Sequence, residues 1–240
     1  MPKVNAKAVL EIEDVKRAMS VAEAAGPFEA ALFAWLYEFG ARAAEPGLQL
    51  VKDVDLRGAR ARIVHLKTAA PIEGSIHGKE WDSLLPFCRR LLPLYMQVHA
   101  HHVLEKPQAV YLFPSRSPGD CCTCLGTGKR KAMKDKAWVK AHCHHCGGSG
   151  KRWGITRHDV YHFVTVTLAK AGVPEGFRHP HVLRHSVVSH LLDGEVAPTV
   201  IQERVGHRFL STTLGYMRTT KAARSRLEGA LKGLYDGGEK

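Results

Sequence analysis

The most informative stretch of this chain is HVLRHSVVSHLLDG (residues 181–194). It is followed closely by VIQERVGHRFLSTTLGYMR (residues 200–218). Apolar residues recur at helical spacing in the first part, and Gly194 stands where helices commonly end. Pro198 and Gly206 bracket a shorter segment with the residues typical of a helix start and a helix stop. The sequence therefore predicts two consecutive helices, each followed by a turn.

Four side chains in or beside these helices are unusual for plain amphipathic segments. His181 and Arg184 stand three residues apart, so a helix places them on one face. His207 directly follows the second predicted turn, and Tyr216 comes nine residues later. Each residue alone has an ordinary explanation, such as packing or the complementing of a helix dipole. Their combination favours one functional site over four separate structural roles.

The residues at the start of the chain predict two further helices. Residues 10–22 have apolar positions at helical spacing. Pro27 then opens a second helix over about residues 28–44, which is apolar on most sides and is therefore expected to be buried. Arg42 is expected near the end of this helix, before Pro46 stops it.

The next segment predicts a small antiparallel β-ribbon. Residues 51–68 alternate in the manner of paired strands, with Arg57-Gly58 at the turn and Lys67 at the tip of the ribbon. Residues 71–78 predict a short third strand. Residues 79–105 are helical in pattern but carry two prolines, which predicts two pieces or a kink.

The rest of the chain predicts more helix around one inserted module. Residues 119–153 are rich in glycine, cysteine and lysine and break the helical pattern. Thr156 is a good N-cap for a helix that runs to about residue 171. A last helix is expected over about residues 220–235. Together these segments predict a mainly α (α+β) fold with a small β-ribbon and one insert.

The insert contains two copies of the pattern CxxCxGxG, and 18 residues separate Cys124 of the first copy from Cys143 of the second. Each copy pairs two cysteines at the spacing of a zinc knuckle. Zinc prefers four such ligands in a tetrahedron, and four thiolates leave no open position for chemistry. The sequence therefore predicts a structural zinc ion, no catalytic metal and no nucleotide cofactor. The predicted ligands are Cys121, Cys124, Cys143 and Cys146.

Other side chains near the two knuckles leave alternatives open. His142, His144 and His145 are substitute ligands, although imidazoles beside four cysteines are expected to be exposed. Cys122 is a spare thiol, and Cys88 is expected to pack as a small apolar residue in a helix. The repeated pattern resembles the zinc domain of DnaJ-type chaperones over about 30 residues, without the four-fold repetition of that family.

The composition indicates a globular chain with a polyanionic partner. The 240 residues are 45% hydrophobic and 24% charged, and the net charge of +12 arises after residue 60. No apolar run reaches transmembrane length and no signal peptide is recognisable, so we expect a cytoplasmic protein without a membrane partner. Basic residues in and beside the insert are expected to contact the phosphates of a nucleic acid. They are Lys129, Arg130, Lys131, Lys151, Arg152 and Arg157.

In this order, the segments resemble the catalytic domain of the tyrosine recombinase (phage integrase) family. That family has His-x-x-Arg, then Gly-His, then a tyrosine at close to the present spacing. FGARAAEPGLQLVKDVDL (residues 39–56) is similar to its first-arginine segment, and RARIVHLKT (residues 60–68) to its β-ribbon lysine segment. The resemblance covers about residues 10–220 apart from the insert.

The resemblance implies site-specific cleavage and rejoining of DNA through a 3′-phosphotyrosine intermediate. Tyr216 would be the nucleophile. Arg42 and Arg184 would clamp the non-bridging phosphate oxygens, and Lys67 would protonate the 5′ leaving oxygen.

Three more residues take their expected roles from the same resemblance. His181 would assist proton transfer at the tyrosine, and His207 would hydrogen-bond the phosphate. Glu45 would support the fold of the active site. The resemblance also leaves two alternatives open: a type IB topoisomerase-like nicking-closing enzyme, and a catalytically idle DNA-binding regulator.

The resemblance also divides the chain and suggests partners. Residues 1–118 would form the first part of the catalytic domain, 119–153 the zinc insert, and 154–240 the second part with the C-terminal helix. That helix could associate with a second copy on DNA or fold back on its own chain. Family members usually carry an N-terminal core-binding domain that these residues do not match, so a separate protein is a candidate to replace it.

Overall fold

The structure, a computed structural model, describes residues 9–65, 81–103, 110–120, 124–134, 137–143, 146 and 149–216. The helices within those ranges are α1 Ile12–Ala25, α2 Pro27–Glu38, α3 Pro86–Val103, α4 Arg157–Lys170, α5 Pro180–Asp193, α6 Pro198–Val205 and α7 Leu210–Leu214. The strands are β1 Val54–Asp55, β2 Arg60–Ala61, β3 Asp82–Ser83, β4 Pro114–Asp120, β5 Lys129–Lys134, β6 Ala137–His142 and β7 Lys151–Gly154. The mainly helical fold with small antiparallel sheets is confirmed.

Helix α2 lies at the centre of the core and packs against α1, α3 and α5. It is buried from Ala30 to Glu38, as the apolar pattern predicts. The helix ends earlier than the sequence predicts, because Gly40 adopts a left-handed conformation with φ of 55°. A Cβ at Gly40 would lie 3.0 Å from Val205, so α6 packs against this turn. The prediction that Arg42 lies within the helix is therefore wrong, and Arg42 stands on the loop that follows.

The β-ribbon forms with its turn over residues 56–59, where the sequence places it. Strand β2 pairs antiparallel with β1 and with β3. The third strand is Asp82–Ser83, whereas the predicted strand at 71–78 lies outside the described residues. Because β3 occupies the start of the predicted 79–105 helix, α3 begins only at Pro86.

The first turn of helix α3 is capped by a buried carboxylate from α2. The backbone N–H groups of Phe87 and Cys88 each donate to the carboxylate of Glu38 at 2.8 Å. These bonds satisfy two of the donors that a helix start leaves without partners. Cys88 is fully buried, which confirms its predicted packing role.

The insert folds as two pairs of antiparallel strands, β4 with β7 and β5 with β6. The lysine-rich segment between the cysteine pairs therefore forms the antiparallel pair of strands β5 and β6. Two glycines dock the insert onto the loop that carries Arg42. A Cβ at Gly154 would lie 1.9 Å from the carbonyl oxygen of Gly47, so only glycine permits this approach.

Helices α4, α5 and α6 lie close to the boundaries that the sequence predicts. The Thr156 side chain accepts a hydrogen bond from the Asp159 backbone N–H, which confirms it as the N-cap of α4. Gly206 ends α6 in the left-handed conformation. The predicted helix at 220–235 lies outside the described residues. No helix in the described part of the chain has the length and apolar character needed to cross a membrane.

Candidate active site

A buried carboxylate holds the guanidinium of Arg42 at the end of α2. The Arg42 backbone N–H donates to one oxygen of Glu45 at 2.7 Å, and its Nη1 donates to the other at 2.8 Å. Arg42 Nη2 also donates to the carbonyl oxygen of Gly206 at 3.2 Å. Glu45 is 1% exposed, so its ion pair with Arg42 is buried and holds the guanidinium in one position. That placement agrees with the supporting role expected for Glu45.

Arg184 brings a second guanidinium to the same place. It lies on α5, is 4% exposed, and donates from Nη1 to the Gly40 carbonyl oxygen at 2.6 Å. Its Nη2 is buried without a hydrogen-bond partner. Burial lowers the pKa of Arg184 to about 10, with the charge of Arg42 acting in the same direction. Arg184 thus stays charged at neutral pH, and a bound anion would satisfy its remaining donor.

Tyr216 lies two residues after the end of α7 and is 6% exposed. Its hydroxyl forms a 2.5 Å hydrogen bond with Nδ1 of His185, on α5 next to Arg184. Burial raises the pKa of Tyr216, while the nearby Arg184 charge opposes that shift. The charge of Arg184 thus acts on the tyrosine hydroxyl, so the two residues belong to one site.

His207 is buried and packs beside the tyrosine. Its ring stacks on that of Tyr216 with centroids 6.0 Å apart and planes 12° apart. His207 Nδ1 pairs with the hydroxyl of Thr213 at 2.9 Å. The Gly206 turn thus serves two functions, because it places His207 and supplies the carbonyl that Arg42 contacts.

His181 occupies the exposed edge of a cleft of about 190 Å³. Desolvation lowers the pKa of His181, and the neighbouring cations Arg184, Arg42 and Arg157 lower it further. The cleft is therefore positive and open to a polyanion. Its lining residues are Arg42, Ala43, Ala44, Arg157, Tyr161, Pro180 and His181.

Two histidines that the sequence analysis did not single out belong to this site. His185 contacts the tyrosine, and its position four residues after His181 on one helix face could have indicated it. His65 packs under the Gly206 turn, where an added Cβ would lie 2.6 Å from its ring. His65 Nδ1 is buried, and because Ile63 and Val64 are both buried, no simple strand alternation could have indicated it.

Lys67 and Cys121 lie outside the described residues, so the structure gives no position for them. Of the predicted catalytic set, the structure brings five side chains close together, and two of them, Arg42 and His181, line the cleft. The five are Arg42, His181, Arg184, His207 and Tyr216.

Three cysteines of the insert converge. The sulfur atoms of Cys124, Cys143 and Cys146 all lie within 4.8 Å of one another, and those of Cys124 and Cys146 are 3.7 Å apart. The backbone N–H of Gly128 donates to Cys124 Sγ at 3.2 Å, and that of Gly150 donates to Cys146 Sγ at 3.3 Å. Such N–H···S bonds commonly stabilise thiolates in metal sites, so the three sulfurs fit a thiophilic cation.

The predicted DNA-contact residues differ in exposure. Lys129, Lys151 and Arg157 are exposed, and Lys151 pairs with Asp120 at 2.5 Å. Arg152 is only 8% exposed, and its guanidinium lies 5.4 Å from the ring centroid of Tyr111. This burial favours a packing role for Arg152. Arg130 and Lys131 lie on β5, and their side chains are outside the described atoms.

Comparison with known proteins places this geometry in a family. The model of the phage integrase family matches residues 8–223. The tyrosine recombinase XerA of Pyrococcus horikoshii is 28% identical over 232 residues, which cover 96% of this chain and 63% of that protein. The tyrosine recombinase XerD of Bifidobacterium longum is 40% identical over 67 residues, covering 28% of this chain and 21% of the relative.

Solved structures agree on the fold. A crystal structure of XerA recombinase superposes with a TM-score of 0.65 at 18% identity, covering 95% of this chain and 65% of the other. The XerH site-specific recombinase bound to its difH substrate gives 0.55 at 18% identity, covering 94% and 54%. The chain thus spans less than two thirds of the length of these relatives. Since the family model matches most of the sequence, this chain belongs to the phage integrase family of tyrosine recombinases.

Proposed function

We propose that this chain is a site-specific DNA recombinase that cleaves and rejoins strands through a 3′-phosphotyrosine link to Tyr216. The observation that carries the proposal is that the buried Tyr216 hydrogen-bonds His185, which directly follows Arg184 on α5, and that Arg184 has a buried donor without a partner. A phosphodiester in the cleft would satisfy Arg184 and approach Tyr216 at the same time. The names of the relatives, tyrosine recombinases, support the same reading.

The two arginines would neutralise the phosphate during attack. Guanidinium groups match phosphate oxygens in geometry and keep their charge at neutral pH. Glu45 and the Gly40 carbonyl already hold Arg42 and Arg184, so little reorganisation is needed when charge builds up. His207, fixed by Thr213, is proposed to hydrogen-bond a phosphate oxygen.

The proposed step conserves atoms and charge without a metal or a nucleotide. Tyr216 Oη gives up its proton to a histidine of the site and forms a bond to phosphorus, while the bond from phosphorus to the 5′ oxygen breaks. The 5′ oxygen takes the bonding electrons and a proton from Lys67, which is assigned this role by the family resemblance. Because the phosphotyrosine is itself an ester, the released 5′ hydroxyl can attack it and restore the strand without ATP.

The insert is proposed to hold a structural zinc ion and to contact DNA. Cys121 would complete the ligand set that Cys124, Cys143 and Cys146 begin. Zinc would tie the two knuckles together and so fix the direction of the β5–β6 hairpin. Exposed Lys129, Lys151 and Arg157, with Arg130 and Lys131 on the hairpin, are the proposed phosphate contacts.

The division of the chain and its partners complete the proposal. Residues 1–118 and 154–240 would form one catalytic domain around the insert at 119–153. Double-stranded DNA in the cytoplasm is the proposed substrate. Self-association through residues 220–235 is proposed for assembly on DNA, with a separate protein as a further proposed partner.

Covalent capture tests the central activity. The full chain is incubated with a library of nicked duplexes, denatured with SDS, and the attached DNA is sequenced. We expect adducts that share a site and disappear in Tyr216→Phe. Relaxation of any supercoiled plasmid without site preference would favour a nicking-closing enzyme. Absence of adducts with a folded, DNA-binding protein would favour an idle regulator.

A salt titration tests the role of the insert. Each phosphate contact that is lost lowers the dependence of binding on salt. The double variant Cys143→Ser, Cys146→Ser is expected to bind DNA more weakly and with a shallower salt slope. An unchanged slope in a folded double variant would contradict a DNA-contacting insert.

A further inference from the structure

The hydroxyl of Tyr216 forms its closest recorded contact with a histidine that the family resemblance did not assign. Tyr216 Oη and His185 Nδ1 are 2.5 Å apart, and the two ring centroids are 5.3 Å apart. His185 follows Arg184 on α5 and is partly buried. The imidazole thus lies against the reacting oxygen, on the same helix as an arginine proposed to bind the phosphate.

A buried phenol needs help to lose its proton. Burial raises the pKa of Tyr216, and the Arg184 charge opposes that rise. At neutral pH only a small fraction of such a phenol is ionised. Imidazole is the side chain that most readily accepts a proton near neutral pH. The base must also lie within hydrogen-bond distance of the proton, a condition that His185 meets.

We propose that His185 is a catalytic residue that accepts the phenolic proton of Tyr216 as the tyrosine attacks the DNA phosphate. The inference rests on the proposed function, and it assigns the proton acceptor within the same site. It differs from the resemblance, which places this proton transfer at His181. In the structure His181 is one turn earlier, at the exposed edge of the cleft, with its ring 6.2 Å from that of His185.

The step balances in both directions. In cleavage, the proton moves from Tyr216 Oη to Nδ1 of His185 while the bond from Oη to phosphorus forms. For Nδ1 to accept, the resting imidazole must carry its proton on Nε2. In rejoining, the 5′ hydroxyl attacks phosphorus and gives its proton back to Lys67, while the bond to Oη breaks and His185 returns the phenolic proton to Oη. His181 is left to contact the phosphate from the cleft side, together with Arg42.

The tautomer of His185 tests the proposal without DNA. The full chain is labelled with ¹⁵N-histidine, and its imidazole signals are recorded at neutral pH. His185→Asn identifies the signal of His185 by its loss, and Tyr216→Phe shows which nitrogen senses the phenol. We expect Nε2 protonated and Nδ1 unprotonated, with the Nδ1 signal moving in Tyr216→Phe. A proton resident on Nδ1 would overturn the proposal, because His185 would then donate to the tyrosine.

A more acidic phenol tests the catalytic step. Asparagine places an amide oxygen near the position of Nδ1, so His185→Asn keeps a hydrogen-bond acceptor but cannot take a proton. We expect it to slow adduct formation on the captured nicked duplex about 10²-fold. Replacing Tyr216 by 2,3,5-trifluorotyrosine, whose phenol ionises more easily, should restore most of that loss. His185→Gln is the second variant if the asparagine variant does not fold.

His181→Asn is the matched control on the same helix face. We expect trifluorotyrosine to leave its defect unrelieved, since its role does not involve the phenolic proton. Relief of His181→Asn instead of His185→Asn, or a His185→Asn rate within threefold of the unaltered protein, would overturn the proposal. If the unaltered chain forms no adduct at all, the proposed function fails, and the tautomer measurement still decides whether His185 accepts a hydrogen bond from Tyr216.

Discussion

The cleft and the insert are held by contacts of very different range. In the cleft, Glu45 holds Arg42 locally, but Arg42 and Arg184 also donate to carbonyl groups that lie 164 and 144 residues away along the chain. In the insert, Cys124 and Cys146 each receive an N–H from a glycine four residues later. The cleft therefore exists only when the helical core has packed. The knuckles form from local turns, and a bound metal would join them.

This difference predicts that metal removal affects one region and spares the other. A structural zinc site contributes on the order of 10 kcal/mol to the folding of small metal domains. With a strong chelator, amide hydrogens of β5 and β6 are expected to exchange rapidly, while those of α2 stay protected. Hydrogen exchange read by mass spectrometry measures both. Equal loss of protection in α2, or none in the hairpin, would contradict the separation.

Arg184→Lys tests the long-range half of the comparison. Lysine cannot reproduce the fork that contacts the Gly40 carbonyl and leaves a second donor for phosphate. We expect adduct formation to fall by about 10² to 10³-fold, or roughly 3 to 4 kcal/mol of transition-state stabilisation. The rate of capture on a nicked duplex measures the loss. Lys151→Ala, an exposed position in the insert, serves as control and should cost less than tenfold.

His65 makes the cleft sensitive to acid. Burial and the charges of Arg184 and Arg42 lower the pKa of His65 to about 4, although Glu45 opposes the shift. Between about pH 6.5 and 4 the unfolded chain binds this proton and the folded protein does not. Acidification through that range therefore removes stability, and the effect vanishes above it.

The expected contribution of His65 is about 1–2 kcal/mol between pH 7 and pH 5. Urea unfolding of the full chain at the two pH values measures it. His65→Gln should remove that part of the pH dependence. The same slope in the variant and the unaltered protein would show that His65 does not cause it.

A single added methyl group tests the close packing of strand β7 against the loop that contains Gly47. Gly154→Ala would bring a Cβ to 1.9 Å from the carbonyl oxygen of Gly47, and the backbone must then move. We expect a loss of about 1–3 kcal/mol in thermal or urea unfolding. Gly176→Ala is the matched control, because nothing lies within 4 Å of its added Cβ. Equal stability of the two variants would contradict tight docking of the insert.

The same contrast explains what the sequence could predict. The cysteine spacing, the N-cap Thr156 and the stop at Gly206 are local patterns, and the structure confirms the cap and the stop. The end of α2 was missed because a left-handed Gly40, packed against α6, overrides the helical pattern of the residues after it. His185 and His65 were missed for a related reason. Their roles depend on Tyr216 and Gly206, which meet them only in the packed core.

The most direct test of Tyr216 as the nucleophile is to identify the residue that becomes linked to DNA. Adducts captured on a nicked duplex are digested with protease and nuclease, and the modified peptide is sequenced by mass spectrometry. We expect one modified peptide, in which Tyr216 carries a nucleotide through its 3′ phosphate. Linkage to another residue, or through a 5′ phosphate, would contradict the assignment of Tyr216 as the nucleophile in this cleft.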